Sequence, residues 1–391
     1  MRPLEGLLVV SLEHAASGPL ASRHLGDLGA RVIKIERPGV GDFARGYDRA
    51  VHGQSTTFVW LNRGKESLTL DLKSPSAKEV LLRLIARADV LIQNLAPGAA
   101  RRLGLSYEVL APLHPRLILC DISGYGESGP YAEKKAYDLL IQAESGVIDI
   151  TGTPEAPARV GISVADIATG MYAFSASLAA LLRRERGGGG ASVKVAMLEA
   201  LSEWMSIALL KEAYGGAAPA REGMTHPQVA PYGPHRTADG FVIFGVQNER
   251  EWQSFCAKVL REPDLAEDPR FFSNTARIEN RAALTEEIEK ALSRLGTARV
   301  LALLDAAGIA NGRLNSVHEV SHHPQLCARQ RWRMVETPGG PVRALLPPFE
   351  IDAAPAPMAR VPALGEHTHA ILGELGYDAK AIAALEAEGA V

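Results

Sequence analysis

Three short segments near the start of the chain decide how the rest is read: Leu7-Leu-Val-Val-Ser-Leu12, Pro19-Leu-Ala-Ser-Arg-His-Leu-Gly-Asp-Leu-Gly29 and Arg31-Val-Ile-Lys-Ile35. The first is a nearly continuous apolar run, as expected of a parallel strand covered on both faces. The second carries Leu20, Leu25 and Leu28 and stops at a glycine, which is a helix with its end signal. The third is β-rich again. Strand, helix and strand in about thirty residues is one βαβ unit.

The same alternation continues. Further strands are expected over residues 67–70, 90–93, 117–123 and 192–196. Over 76–89, Val80, Leu81, Leu84, Ile85 and Ala88 fall on one helical face. The fold class that follows is α/β, with a doubly wound, Rossmann-like large domain. Composition changes after residue 200. A helix over 198–214 leads into Gly215-Gly-Ala-Ala-Pro-Ala220, and a separate unit follows with a strand over 241–246 and helices near 249–259 and 281–291. Near residue 330 the chain becomes proline-rich, an extended crossing segment. A short helix over 365–375 and an alanine-rich tail close it. The expected division is 1–200 for the first part of the large domain, 201–224 for a linker helix and hinge, 225–330 for a small α+β domain, and 331–391 for the return to the large domain.

Composition narrows the function classes. The chain has 391 residues, 47% of them apolar, with 42 Lys+Arg against 45 Asp+Glu and a net charge of −3. That balance argues against nucleic acid as a partner. Cys120, Cys256 and Cys327 are too few and too scattered for a disulfide framework or a zinc cluster, which fits a reducing cytoplasm. The apolar run at 7–12 is flanked by Glu5 and Glu13 and is too short for a signal peptide. The stretch 167–182 falls short of the roughly 20 residues a bilayer needs, so a buried helix is expected and no membrane association.

Several motifs invite a chemical reading and do not support one. Gly124-Tyr-Gly126-Glu-Ser-Gly129 has the spacing of a dinucleotide fingerprint, but Pro130 follows it and it lies at the fifth strand. A loop beside an active site is the better reading. His322-His323 precedes Pro324, which breaks the helix that would align a metal-ligand set, so no metal is expected there. Asp166 differs from these. It opens the very apolar helix, and its local sequence fits two roles: an N-cap, or a desolvated carboxylate held ionised by the helix N-terminus and able to attack an acyl carbon. Local sequence alone favours the cap.

Taken in order, a set of motifs resembles the family III coenzyme A transferases (the CaiB/BaiF type), which include formyl-CoA transferase, carnitine CoA transferase and the α-methylacyl-CoA racemases. The motifs are Gly18-Pro19, the run from Leu28 to Gly39 with Gly41-Asp42, Asn62-Arg63-Gly64-Lys65 through Lys73, and Asp89 through Asn94 with Pro97-Gly98. Arg102-Leu-Gly-Leu105, Ser123-Gly-Tyr-Gly126, Tyr137-Asp138, Ala165-Asp166-Ile-Ala-Thr-Gly170 and Leu364-Gly-Glu-His-Thr368 complete the series.

The resemblance implies an interlocked-ring homodimer and a nucleophilic aspartate at Asp166, which reverses the local preference for a cap. It implies CoA contacts at Ala15, Arg37, Leu70, Lys73, Asn94, Leu95, Arg102 and Lys135. The substrate is then a CoA thioester, and no tightly bound cofactor, ATP or metal is required. Tyr137 stands where the racemases carry a histidine, and an unperturbed phenol near pKa 10 is a poor proton shuttle. Segments around Ser11–Ala15, Gly41–Tyr47 and Ala136–Gly146 look like the branch that takes succinyl-CoA to itaconate, mesaconate or citramalate. An intramolecular mesaconyl-CoA C1–C4 transferase is the alternative. For the second carboxylate of such an acid, His14 and Arg45 are the candidate receptors, with Tyr137 a further substrate contact.

Overall fold

The computed structural model describes residues 1–391 as two compact units, one of residues 1–147, 159–207 and 326–391, the other of residues 148–158 and 208–325. The first holds a six-stranded sheet: β1 (Leu8–Leu12), β2 (Arg31–Glu36), β3 (Lys65–Thr69), β4 (Val90–Gln93), β5 (Ile118–Ser123) and β6 (Ala191–Ala196). Every pairing is parallel, and the strand order is β3-β2-β1-β4-β5-β6. This is the doubly wound order.

The apolar runs follow from burial on both faces. On one face Val10, Leu12, Ile33, Ile35 and Leu68 pack with Val80, Leu81 and Leu84 of the helix Pro75–Ile85, and with Ile371, Leu372 and Leu385 from the end of the chain. On the other, Val9, Val32, Val90, Ile92 and Ile118 pack against α1 (Ser17–Asp27) and against the longest helix, Val164–Glu185. That helix is long and apolar enough by composition to cross a membrane. Here Ala173, Phe174 and Leu181 are core residues. The C-terminal stretch is tied to β3: the His367 amide donates to Ser67 O at 3.0 Å, and the Thr69 amide donates to Thr368 Oγ1 at 3.1 Å.

α1 and the long helix pack closely, and Gly170 makes that possible. A Cβ at residue 170 would lie 2.7 Å from Ser17 O and 2.9 Å from Leu20 Cβ. Beneath the turn between β1 and α1 lies a buried ionic network. Lys65 Nζ donates to Glu13 Oε1 at 2.6 Å and to Pro19 O at 3.0 Å. Lys34 Nζ meets Asp42 Oδ2 at 2.9 Å and donates to Glu13 O at the same distance. Glu36 accepts both Arg45 Nε at 2.8 Å and Arg45 Nη2 at 2.7 Å, and Ser67 Oγ at 2.6 Å. Three anions and three cations balance, which a buried cluster requires.

The second unit has an antiparallel three-stranded sheet in which Gly240–Gly245 lies between Tyr232–Thr237 and Ala310–Arg313. Its core gathers Phe244, Trp252, Phe255 and Phe271 with Leu284, Ile288, Val300 and Leu304 from the helices Arg281–Leu292 and Thr297–Ala307.

Three sequence expectations need adjustment. The 198–214 helix is two, Met197–Trp204 and Ser206–Gly215, and the boundary between units falls inside the second. Residues 148–158, assigned from sequence to the large domain, group with the second unit, where Arg221 Nη1 donates to Asp149 O at 2.9 Å. The proline-rich return contains a hairpin, Trp332–Val335 with Val342–Leu345, whose turn holds Pro338-Gly-Gly340.

Two stability predictions follow. Arg45→Ala strands the buried Glu36 carboxylate and should lower unfolding free energy by about 3 kcal/mol in chemical denaturation. Gly170→Ala overpacks the helix crossing and should cost about 1–3 kcal/mol by the same measurement.

Candidate active site

Strand order reverses at β1, with β2 on one side and β4 on the other. The loops after β1 and β4 leave in opposite directions and open a crevice at the carboxyl ends of the strands, where such sheets bind ligands. A cleft of about 1150 Å³ occupies that position. It is lined by His14, Ala15, Ala16 and Ser17 after β1, and by Gln93, Asn94 and Leu95 at the end of β4. Ordinary ligand pockets run to roughly 300–1,000 Å³, so this one suits a large, extended molecule.

Asp166 lies in the cleft wall, in the first turn of the long helix, partly exposed. Ser17, the first residue of α1, lies beside it, and its amide and hydroxyl favour the ionised form. Burial, and then the Asp138 carboxylate, push the Asp166 pKa up to about 7, and Ser17 only partly opposes this. This corrects the expectation of a carboxylate held ionised by its helix: desolvation and the Asp138 charge both work against the charged form. The alternative role of Asp166 as a cap is filled by another residue. Asp138 Oδ1 accepts the Ala165 amide at 2.8 Å, and Ser163 at the N-cap position makes no side-chain bond.

The remaining candidates separate by geometry. His14 lines the cleft, its ring stacked on Phe43 at 5.3 Å and its Nδ1 3.8 Å from Asp42 Oδ1. Asn94 clamps the backbone of His14 from both sides: Oδ1 accepts its amide at 2.8 Å and Nδ2 donates to its carbonyl at 2.9 Å. That is a loop-positioning role. Ala15 is held at φ 60° with its amide on Asp42 Oδ1 at 3.2 Å. A non-glycine residue in this region is uncommon and marks local strain beside a site. Leu95, Arg37, Lys135 and Tyr137 also line the cleft. No hydrogen bond or ion pair occupies the side chains of Arg37 and Lys135, so both cations are free to meet an anion. Tyr137 is 61% exposed.

Four predicted contacts lie elsewhere. Leu70 is 2% exposed and belongs to the core, so its side chain is closed to any ligand. Lys73 is outside the cleft lining and exposed, just before the helix Pro75–Ile85. Arg102 also lies outside the lining, its guanidinium turned back to Pro97 O at 3.5 Å. Its neighbour Arg101 lines the cleft instead. Arg45 is spent on Glu36 and stacks 3.7 Å from the Phe58 ring, so it is no carboxylate receptor.

Sequence reasoning missed Ser17, Arg101 and Tyr47. Tyr47 lines the cleft, and burial with the nearby Asp42 and Asp166 charges raises its phenol to about 12, so it stays a neutral donor. The 43–47 turn was within reach, because Asp42 caps it by accepting the Ala44 amide at 2.9 Å. The loop around Gly124 and Gly126 borders the cleft. Gly124 is required there, since a Cβ would lie 2.3 Å from Ala136 Cβ. His322 and His323 sit between two short helices, away from the cleft.

Comparison with known proteins identifies the family. The family model for CoA-transferase family III matches residues 4–368. Acetyl-CoA:oxalate CoA-transferase of Acetobacter aceti is 41% identical over 346 residues, covering 87% of this chain and 89% of that protein. Succinyl-CoA:glutarate CoA-transferase of Mus musculus is 34% identical over 402 residues, covering 100% and 91%. The crystal structure of a CAIB/BAIF family protein from Brucella suis superposes with a TM-score of 0.84 at 36% identity, over 96% of this chain and 99% of that one. The chain is therefore a CoA-transferase and belongs to CoA-transferase family III.

Proposed function

We propose that this enzyme moves CoA from succinyl-CoA to a C4–C5 dicarboxylic acid such as itaconate, mesaconate, citramalate or glutarate, with Asp166 as the nucleophile. One observation carries the mechanism: a desolvated carboxylate stands at the crevice of a doubly wound sheet, where α1 and the long helix meet. The dicarboxylate reading is supported by the mouse relative, a succinyl-CoA:glutarate CoA-transferase.

In this reading the Asp166 carboxylate attacks the thioester carbonyl, giving a mixed anhydride and CoA thiolate. The thiolate attacks the aspartyl carbonyl, which forms an aspartyl-CoA thioester and frees succinate. The acceptor carboxylate attacks that thioester, releasing the thiolate again and forming a second anhydride. The thiolate then takes the acceptor's acyl group, and Asp166 leaves as the carboxylate. Each addition places negative charge on a carbonyl oxygen, and the Ser17 amide and hydroxyl beside Asp166 are candidate donors to it. Arg37, Arg101 and Lys135 are the cations suited to the phosphates of CoA. With Arg45 committed to Glu36, the far carboxylate of the acceptor falls to His14, Tyr47 and Tyr137. The chain acts as an interlocked homodimer in this proposal. Large apolar side chains left exposed at Tyr172, Leu182, Trp204 and Ile207 are consistent with a covering partner.

Two measurements test this. Intact-mass analysis after mixing with succinyl-CoA should show a CoA-sized adduct that Asp166→Ala abolishes. From a panel of formate, acetate, oxalate, glutarate, itaconate, mesaconate and citramalate, the C4–C5 dicarboxylates should then clear it selectively. Clearance by monocarboxylates alone would reject the dicarboxylate reading, and turnover of mesaconyl-CoA with no added acid would mark intramolecular transfer. The second is a pH profile. The nucleophile is the ionised form, and its pKa is raised to about 7. Activity as kcat/KM should therefore fall as pH drops through 7 and level off above it. An acid limb near pH 4 would show that Asp166 is not the titrating group.

A further inference from the structure

Asp138 opens the helix Asp138–Glu144, but its carboxylate serves a different helix. Oδ1 accepts the Ala165 amide at 2.8 Å and also meets the Asp166 amide at 3.4 Å. These amides belong to the first turn of the long helix, whose own N-cap residue, Ser163, supplies no bond. The other oxygen is fixed as well, since Oδ2 accepts Gln142 Nε2 at 2.7 Å. Gln142 is wholly buried, and its Oε1 accepts the Val160 amide at 2.9 Å. A continuous chain of bonds thus runs from Val160 through Gln142 and Asp138 to the start of the catalytic helix.

The geometry points to Asp138 as the positioning residue of the transfer: it caps the helix that carries Asp166, spares the Asp166 carboxylate from capping its own helix, and places a second carboxylate near it. This rests on the reading of Asp166 as nucleophile. A borrowed carboxylate does what a local cap would do for the amides. It differs in one respect. A cap at Asp166 itself would consume an oxygen that must attack the thioester, whereas a cap from a neighbouring helix consumes none. The charge of Asp138 also acts against ionisation of Asp166, in the same direction as burial. Tyr47, Tyr137, His14 and Asp42 are titratable groups near the site, and further charged side chains on the cleft wall come from the segments 101–108, 121–127 and 133–135, with Arg37 and Lys194. Tyr47 stays neutral at physiological pH, its phenol being raised to about 12.

The test compares wild type, Asp138→Asn, Asp166→Asn and the double variant by thermal unfolding between pH 4 and 9. An acid raised to about 7 in the folded state holds its proton there while the unfolded chain has lost it. Ionisable Asp166 therefore costs stability progressively from about pH 4 upward, and the cost levels off above the folded pKa. The Tm gain from Asp166→Asn should grow with pH and level off near 7 in the wild-type background. In the Asp138→Asn background it should level off at least about half a pH unit lower, because the opposing charge is gone and the amide oxygen still caps. The same levelling pH in both backgrounds would overturn the electrostatic half of the proposal. Asp138→Ala removes the cap too, and kcat for CoA exchange should fall roughly tenfold or more, with KM for the acyl-CoA changed less than about threefold. Asp138→Asn should restore most of that kcat above pH 8. Full activity in Asp138→Ala, or no recovery in a folded Asp138→Asn, would overturn the positioning half. The unfolding comparison needs no turnover, so it decides the coupling of the two residues even if Asp166 forms no adduct.

Discussion

The site depends on one constraint: three buried anions must meet two buried cations and the half-buried Arg45 beneath the turn between β1 and α1. Glu13 directly follows β1, Lys34 and Glu36 lie on β2, Lys65 starts β3, and Asp42 and Arg45 belong to the segment after β2. Each charge is satisfied by a residue from another element, so the network forms only when three adjacent strands are in register. Clusters of this kind contribute little net stability, because desolvation offsets their attraction. What this one does is fix a shape. Asp42 holds the amide of Ala15 in a left-handed conformation and the amide of Ala44 at the start of the next turn. Those two turns carry His14, Ser17, Phe43 and Tyr47 into the cleft.

The sequence was most informative where burial on both faces forces a pattern. β1, β4 and β5 read as apolar runs because each must satisfy two cores at once. Asp166 stood out because a carboxylate at the head of so apolar a helix needs a reason. The hidden parts are partnerships between residues distant in the chain. Arg45 reads as an exposed cation until Glu36, nine residues earlier, is seen to be buried and to need it. The choice between Arg101 and Arg102 turns on the phase of a four-residue helix that begins at a left-handed Gly98, which no periodicity reports. Leu70 matched its motif, but the strand that ends beside it turns its side chain into the core. Asp138 was visible as part of a motif and its service to another helix was not, because a cap is ordinarily sought within the helix it closes.

A carboxyl raised to about 7 also changes the balance of the chemistry proposed for it. An ordinary aspartyl carboxyl, near pKa 4, differs from a thiol, near 8.5, by several powers of ten in basicity. An acyl group passed between such partners falls toward the thioester, and the anhydride is a steep climb. Burial and the Asp138 charge reduce that difference by raising the aspartate and leaving the thiol of CoA unaffected. A more basic carboxylate is a stronger nucleophile toward the thioester carbonyl. It also leaves less readily, so in the anhydride the substrate carboxylate becomes the better leaving group and the thiolate is directed to the aspartyl carbonyl. The same burial that makes Asp166 reluctant to ionise therefore brings the intermediates of a reversible transfer closer in energy. An enzyme that exchanges one thioester for another of similar energy needs that levelling more than it needs a strongly stabilised anion.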